Sequence, residues 1–513
     1  MALWRSTFIV SSMTMLSRVL GLVRDMVLLN VFGAGKDFDT FVVAFRIPNF
    51  FRRLFAEGAF SQAFIPVLTE YKTTKLHAEV QILISRVFGC LLTVMSLLTL
   101  FCMIAAPVIL YVYAPGFHDD PAKFDLAVDM FRLTIPYLMF MSLTAFASSI
   151  LNSYGSFSTP AFAPVLLNIA MIVAAWLFAD QMAEPIMVLG WAVVVAGVLQ
   201  LAIQIPELWR KKLLIPPKVD FKHEGVERIL KLMLPALFGV SVTQINLLLN
   251  TIWASFMQDG SVSWLYSAER MTELPLGLIG VAIGTVILPS LSMSKAEQDQ
   301  AKFRKMLDWA ARVIVLVGVP ASIALFMLST PIIQALFQHG AFDVRDTQMT
   351  AMALQCMSGG VLAFMLIKVF APGFYAIQDT KTPVRVGLMA VAANAILNVV
   401  FIGIFKLIDW QAEHMALAIA SSGSALVNAG MLYFYLHKRN IFRFGAHWKK
   451  LFIQFLIANI SMVAVLWYAL TWYDGSVAQW IRILEVLGLC IVGVLAYAVG
   501  LVASGFRPHH LKH

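Results

Sequence analysis

The chain has 513 residues, of which 60% are hydrophobic and 13% charged, about half the charged share near 25% that soluble proteins carry. That composition excludes a water-soluble globule, and apolar stretches of spanning length recur from end to end, as in a polytopic membrane protein. The formal charge is +9, so the placement of the cations decides whether the excess serves nucleic acid, an acidic surface or membrane orientation.

At about 20 apolar residues per helical span, fourteen spans are expected. They lie near 7–32, 39–69, 80–113, 126–151, 160–179, 186–207, 225–257, 263–290, 306–336, 348–375, 386–405, 414–436, 451–472 and 479–504. The loops after even-numbered spans carry eighteen cations, among them Arg210, Lys211, Lys212, Lys218 and Lys222. The loops after odd-numbered spans carry four, Lys36, Lys123, Arg345 and Lys406. By the positive-inside rule both termini and the basic stretch 208–224 are cytoplasmic. That stretch reads as a topology signal, since no aromatic-interleaved polar module accompanies it and no nucleic acid partner is expected. Arg18 interrupts the first apolar stretch and no small-residue cleavage site follows, so span 1 is expected to stay rather than be removed as a signal peptide. Cys90, Cys102, Cys356 and Cys490 all fall inside apolar spans, without a Cys-x-x-Cys pair or clustered His. Neither a disulfide framework nor a metal site is suggested.

The sequence also matches itself. FIPVL (64–68) precedes ILPSL (287–291) by 223 residues, the same offset relates Thr159-Pro160 to Thr382-Pro383, and an offset of 224 pairs Pro107 and Gly116 with Pro331 and Gly340. Spans 1–6 and 7–12 therefore read as two copies of a six-helix unit. Because six is even, the copies insert in the same orientation and are parallel. The expected fold is an all-α membrane protein with two parallel six-helix repeats around a central cationic cavity, plus two C-terminal helices. In residues, 1–207 form an N-lobe, 208–224 a cytoplasmic linker, 225–436 a C-lobe, and 437–513 spans 13 and 14 with the tail.

Charges inside the spans need an explanation, because one at the centre of a membrane helix costs about 2.5–3.5 kcal/mol on insertion scales. Span 1 carries Arg18, Arg24 and Asp25; span 2 carries Asp39, Arg46, Arg52, Arg53 and Glu57; span 8 carries Glu269, Arg270 and Glu273; span 10 carries Lys368. Arg53 can pair with Glu57 one turn on, and either span-8 glutamate can neutralise Arg270. Arg86, Asp129, Arg132, Arg312, Arg482 and Glu485 lie nearer span ends, where they snorkel or pair. Arg18 and Arg24 are about 120° apart on an ideal helix with Asp25 under Arg18, so one carboxylate does not serve both arginines locally. At least one is expected to meet an external anion, Gly21 allows a bend between them, and Lys368 is expected beside a break at Pro372-Gly373. The arginine fork matches phosphate oxygens, so a phosphate or pyrophosphate substrate fits better than a cation. No histidine or carboxylate cluster, nucleophile elbow or catalytic-sized loop is visible, and no enzyme is expected.

The segments SSMTMLSRVLGLVRDM (11–26), FGAG (32–35), DTFVVAFRIPNFFRRLFAEGAFSQAFIPVLTEY (39–71), SVSWLYSAERMTELPLGLIGVAIGTVILPSLS (261–292) and APGFYAIQDTKTPV (371–384) carry a resemblance. Together they resemble the MurJ (MviN) lipid II flippases of the multidrug/oligosaccharidyl-lipid/polysaccharide exporter superfamily, along essentially the whole chain. The resemblance implies a flippase carrying the undecaprenyl-pyrophosphate disaccharide-pentapeptide across the bacterial cytoplasmic membrane for peptidoglycan synthesis. It also implies spans 1, 2, 7 and 8 around a cationic cavity and a groove for the lipid tail on the last two helices. By motif, Arg18, Arg24, Asp39, Arg52, Arg270 and Lys368 fall on functional positions of the family, with Asn49, Ser263 and Glu273 as further candidates. Some relatives bind sodium in the second lobe; Gln378 and Asp379 lie near that region without a complete ligand set, no cofactor is expected, and ion coupling stays open. The expected partners are lipid II and membrane lipids, with the monomer as the working unit. The alternatives are an exporter of another polyprenyl-linked glycan or a cation-coupled drug antiporter of the same superfamily.

Overall fold

A computed structural model of the chain describes residues 2–54, 59–277, 281–445 and 447–507. Among these, every regular element is helical. The chain divides into two compact units, Met1–Ser263 and Trp264–His513.

The first unit holds α1 (Ala2–Phe32), α2 (Lys36–Leu54), α3 (Phe60–Thr74), α4 (His77–Ile104), α5 (Ala106–Tyr113), α6 (Pro121–Thr134), α7 (Tyr137–Ser153), α8 (Ser158–Phe178), α9 (Met187–Ala202), α10 (Ile205–Arg210) and α11 (Glu224–Ser255). It also holds the first turn of α12 (Ser261–Pro275). α1 runs through Gly21 without interruption and ends at Gly33, whose φ of 70° is the left-handed cap that glycine supplies without strain. Spans 3 and 4 are each divided: α4 gives way to α5 at Ala105, and α6 to α7 across Ile135-Pro136. α1 packs on α8, α8 on α9, and α3 against both α7 and α11. The core between them is built from Phe64, Val67 and Leu68 of α3, Leu83 and Ile84 of α4, and Phe146 and Ile150 of α7.

The basic stretch 208–224 is docked rather than extended into solvent. Ser85 on α4 accepts the Lys218 N–H at 3.1 Å and donates to the Pro216 carbonyl at 2.7 Å, while Gln81 donates to the Lys212 carbonyl. A Cβ at Gly89 would meet the Lys218 carbonyl at 2.4 Å, so glycine is what lets the strap lie on α4.

The second unit continues with the rest of α12, then α13 (Val281–Ala296), α14 (Gln300–Met327), α15 (Ser329–Phe337), α16 (Val344–Tyr375), α17 (Lys381–Leu407), α18 (His414–Lys438), α19 (His447–Leu470) and α20 (Gln479–Ala503). α16 packs on α18 and α14, and its Met365, Val369, Phe370 and Phe374 meet Leu307 and Ile314 of α14 in the core. The expected break in span 10 does not occur: α16 stays helical through Pro372-Gly373 to Tyr375. Proline removes one N–H donor, but Val369, Phe370 and Phe374 around it are buried in the core of this unit, and their packing keeps the turn helical. The turn comes later, at Gln378, with φ 61°. Lys368 therefore sits on a regular, exposed helix face.

Ten helices or helix pairs among the described residues are long and apolar enough to cross a membrane. The longer helices outside those ten are α1, α2, α3, α11, α12 and α13. Three of these carry the charges singled out above in spans 1, 2 and 8.

Candidate functional site

In the first unit the interior charges are placed by three helix contacts. Where α1 meets α8, Arg24 donates through Nε and one terminal nitrogen to Asp25 Oδ1 at 2.9 and 2.6 Å, and through the other to Asn168 Oδ1 at 3.1 Å. Asn168 in turn donates to the Ser17 carbonyl. Arg24 is 7% exposed and Asp25 1%. The helical wheel placed Asp25 with Arg18, but the long Arg24 side chain folds onto its neighbour because α8 covers that face. Arg18 is exposed and makes no hydrogen bond or ion pair among the described residues.

Asp39, at the start of α2, is buried with all its acceptor capacity in use. Its Oδ2 accepts the Gly260 N–H at 2.8 Å; its Oδ1 accepts the Ser263 N–H at 2.9 Å and the Ser263 hydroxyl. These are donors at the opening of α12, so the carboxylate caps that helix from another element. Lys123 stands 3.6 Å from Asp39, bonds Asp259 at 2.5 Å and lies over the Phe117 ring. At 4% exposure this is a buried cation, not the loop lysine its position after span 3 suggested. Beside it Lys36 and Asp120 pair at 2.6 Å. That hydrogen bond raises the Lys36 ammonium above its ordinary pKa and lowers the Asp120 carboxyl.

Arg46 on α2 donates to Thr251 and the Leu247 carbonyl of α11, and Arg53 reaches Gln244 at 3.5 Å. Glu57, the expected partner of Arg53, lies outside the described residues, as does most of the AEGA motif. Arg52 donates to Asn49 at 2.9 Å, one turn back on the same helix.

In the second unit Arg270 meets Glu273 at 3.2 Å, and Lys368 is exposed on α16. A further polar cluster had no signal in the sequence. Trp264 Nε1 donates to Asp346 at 2.9 Å, the Arg345 guanidinium covers the Trp264 ring, and the His414 ring lies against it, tilted, at 5.0 Å while Nε2 donates to the Met349 carbonyl. Asp379, near the region of a family ion site, bonds Thr382 and Arg439. Burial raises its pKa, but the Thr382 hydroxyl, the Thr382 N–H and Arg439 outweigh it and hold the carboxyl down at about 2. No group of three His, Cys, Asp or Glu able to hold a metal occurs among the described residues.

Of the nine residues expected at a substrate site, the structure joins Asp39 with Ser263, Asn49 with Arg52, and Arg270 with Glu273. It buries Arg24 and exposes Arg18 and Lys368. Asn168, Lys123 and Thr251 were not anticipated. Asn168 is the one polar residue in PVLLNIAM and could have been read as a partner for an intramembrane charge.

Charged residues buried in apolar helices on a fold of membrane-spanning helices define an integral-membrane protein of the transporter type. The family model "Lipid II flippase MurJ" matches residues 28–489. The Burkholderia cenocepacia protein named "Lipid II flippase MurJ" is 39% identical over 520 residues, covering 100% of this chain and 99% of the relative. The Haemophilus influenzae protein named "Probable lipid II flippase MurJ" is 42% identical over 518 residues, covering 97% and 99%. A solved structure, "Lipid II flippase MurJ, inward closed conformation", superposes with TM-score 0.77 at 25% identity, covering 96% of this chain and 98% of that one. An inward-facing multidrug resistance MATE transporter of the MOP superfamily superposes at 0.68 with 15% identity, over 84% and 97%, a likeness of fold alone. The chain belongs to the MurJ lipid II flippase family.

Proposed function

We propose that this protein moves lipid II from the cytoplasmic to the periplasmic leaflet of the bacterial inner membrane by alternating access, without chemical turnover of the lipid. Family membership supports the substrate, and one observation carries the site: Arg18, on an intramembrane helix, is exposed and has no partner among the described residues. An intramembrane guanidinium in that state is costly unless an anion meets it, and its fork suits a pyrophosphate. Arg24 and Arg52 in the first unit, and Arg270 and Lys368 in the second, are the further candidates for contact with substrate, with Asn49 and Glu273 orienting two of the arginines. Asp39 and Ser263 act on substrate through the placement of α12. The sugar-peptide head avoids hydrocarbon in the cavity while the prenyl chain stays in lipid along α19 and α20.

The fourteen-span, two-repeat reading draws support from the helix starts. His77, Pro121 and Ser158 open α4, α6 and α8, and Gln300, Val344 and Lys381 open α14, α16 and α17, each 223 residues later (300 − 77, 344 − 121, 381 − 158). Counted with the ten apolar spans, α1, α2 with α3, α11, and α12 with α13 would bring the total to fourteen. In this reading residues 1–207 and 225–436 are the lobes, 208–224 is the cytoplasmic strap, 437–513 is the lipid-tail segment, both termini are cytoplasmic and the monomer is the working unit. Cysteines placed at Lys218 and Glu184, both exposed, test the orientation: only Glu184→Cys should label from the periplasm.

The function is tested with purified protein in vesicles loaded with lipid II on one leaflet. Accessibility of the lipid on the other leaflet should rise with the wild type and not with Arg18→Ala. Equal rates with and without protein, or movement of unrelated polyprenyl-linked glycans at the same rate, would overturn the proposal.

A further inference from the structure

The last two helices hold a carboxylate, Glu485, with a buried oxygen that has no hydrogen-bond partner among the described residues. α19 and α20 pack through small residues, with Gly500 so close that a Cβ there would meet the Ala458 Cα at 2.7 Å, and Gly493 against Leu466. Toward the 471–478 connection the helices part around a cavity of about 360 Å³, whose lining includes Val465, Tyr468, Trp472, Tyr473, Glu485 and Leu489. Glu485 Oε2 and the Tyr473 hydroxyl are both buried, and neither has a hydrogen-bond partner among the described residues. Arg482, one turn before Glu485, is committed elsewhere: its two terminal nitrogens bond the Gln334 and Gln338 carbonyls at 3.2 and 2.9 Å, closing the end of α15. Of these two residues, expected near a span end to snorkel or pair, Arg482 pairs with backbone carbonyls and Glu485 makes no ion pair among the described residues.

The chemistry of the lining restricts what fills it. An acyl or prenyl chain would desolvate the carboxylate and return no hydrogen bond, and a phosphate would be repelled. A small cation with N–H donors satisfies both oxygens, and the exposed rings of Tyr468 and Trp472, edge to face at 6.1 Å, offer aromatic faces at the same place. Burial pushes the Tyr473 phenol up to about 12, against the nearby Arg482 charge, which lowers it, and with Glu485 adding to the rise, so the hydroxyl stays protonated beside the carboxylate. The surrounding surface is built to face lipid headgroups: Trp467, Trp472 and Trp480 are 70%, 73% and 63% exposed near this end of the two helices.

We propose that this cavity is a headgroup site for an ethanolamine phospholipid, its primary ammonium held by Glu485 and the Tyr473 oxygen and flanked by Tyr468 and Trp472. The site lies wholly within the second unit and does not depend on which lipid is transported.

Native mass spectrometry of the full-length protein in detergent, titrated with short-chain lipids, tests it. Phosphatidylethanolamine should bind about tenfold more tightly than phosphatidylglycerol, the factor of one charge-assisted hydrogen bond. Phosphatidylcholine, whose ammonium has no N–H, should bind more weakly than phosphatidylethanolamine. Glu485→Gln, nearly isosteric, should bring the phosphatidylethanolamine preference close to parity, and Tyr473→Phe should reduce it by less. Equal wild-type binding of phosphatidylethanolamine and either other lipid overturns the site without recourse to a variant. A preference unchanged in a folded Glu485→Gln protein overturns it as well.

Discussion

The two units treat intramembrane charge differently. In the first, Arg24, Asp25, Asp39 and Lys123 are all under 10% exposed and linked into networks that join separate helices. In the second, Arg270 and Glu273 pair locally while half-exposed, Lys368 is exposed, and the tightest polar groups sit at helix ends, Asp346 with Trp264 and Asp379 with Arg439. A buried charge whose partner is removed is left in a low dielectric, whereas an exposed one is rehydrated. Deleting these buried charges should therefore cost the first unit stability, whereas deleting Arg270 or Lys368 should cost the second little.

The largest expected effect is at Asp39. Asp39→Ala strips Lys123 of one carboxylate and leaves the opening turn of α12 uncapped, so a loss of about 3–5 kcal/mol is expected, the range for breaking a buried pair. Thermal unfolding in detergent and membrane abundance measure it. A variant of normal abundance that binds lipid II poorly would instead move Asp39 into direct substrate contact.

Arg24 comes next, with about 2–4 kcal/mol expected for Arg24→Ala because Asp25 stays buried. Lysine restores charge but not the three-way donation to Asp25 and Asn168, so Arg24→Lys should recover abundance only in part. If Arg24→Ala is as abundant as wild type and fails only in lipid II binding, the residue reads substrate rather than holding α1 to α8.

Arg18 should behave in the opposite way. Arg18→Ala is expected to leave stability within about 0.5 kcal/mol and to weaken lipid II binding by about tenfold or more, as loss of one charged hydrogen bond does. Binding of a soluble pyrophosphate competitor to both proteins sharpens the contrast with Arg24.

The smallest effect belongs to the second unit. The Asp379 carboxyl lies at about 2 against an ordinary 3.8, so its contribution is complete above the ordinary value and is lost as pH falls from there through about 2. Asp379→Asn should lower stability at neutral pH, converge on the wild type as pH falls through about 2, and so flatten the pH dependence of unfolding below about pH 4. An unaltered acid limb in the variant would assign that limb to other carboxylates.

Composition and periodicity determined a good deal unaided. Spans of about 20 apolar residues follow from bilayer thickness, and the charges inside them stood out because hydrocarbon makes each one expensive. The FIPVL and ILPSL landmarks and the arginines of span 1 were likewise legible, since they are local in the chain. What the chain could not show is which charge meets which partner. Asp25 was assigned by helical wheel to Arg18, yet α8 brings Asn168 to the other face and Arg24 takes the carboxylate. Lys123 read as a loop cation until Asp39 and Asp259 were found around it, and Pro372 read as a break although α16 stays helical through it. Span length and helix periodicity depend on near neighbours in sequence, so sequence determines them. Pairing across 144 residues, as between Arg24 and Asn168, depends on how helices pack, and only the tertiary structure decides it.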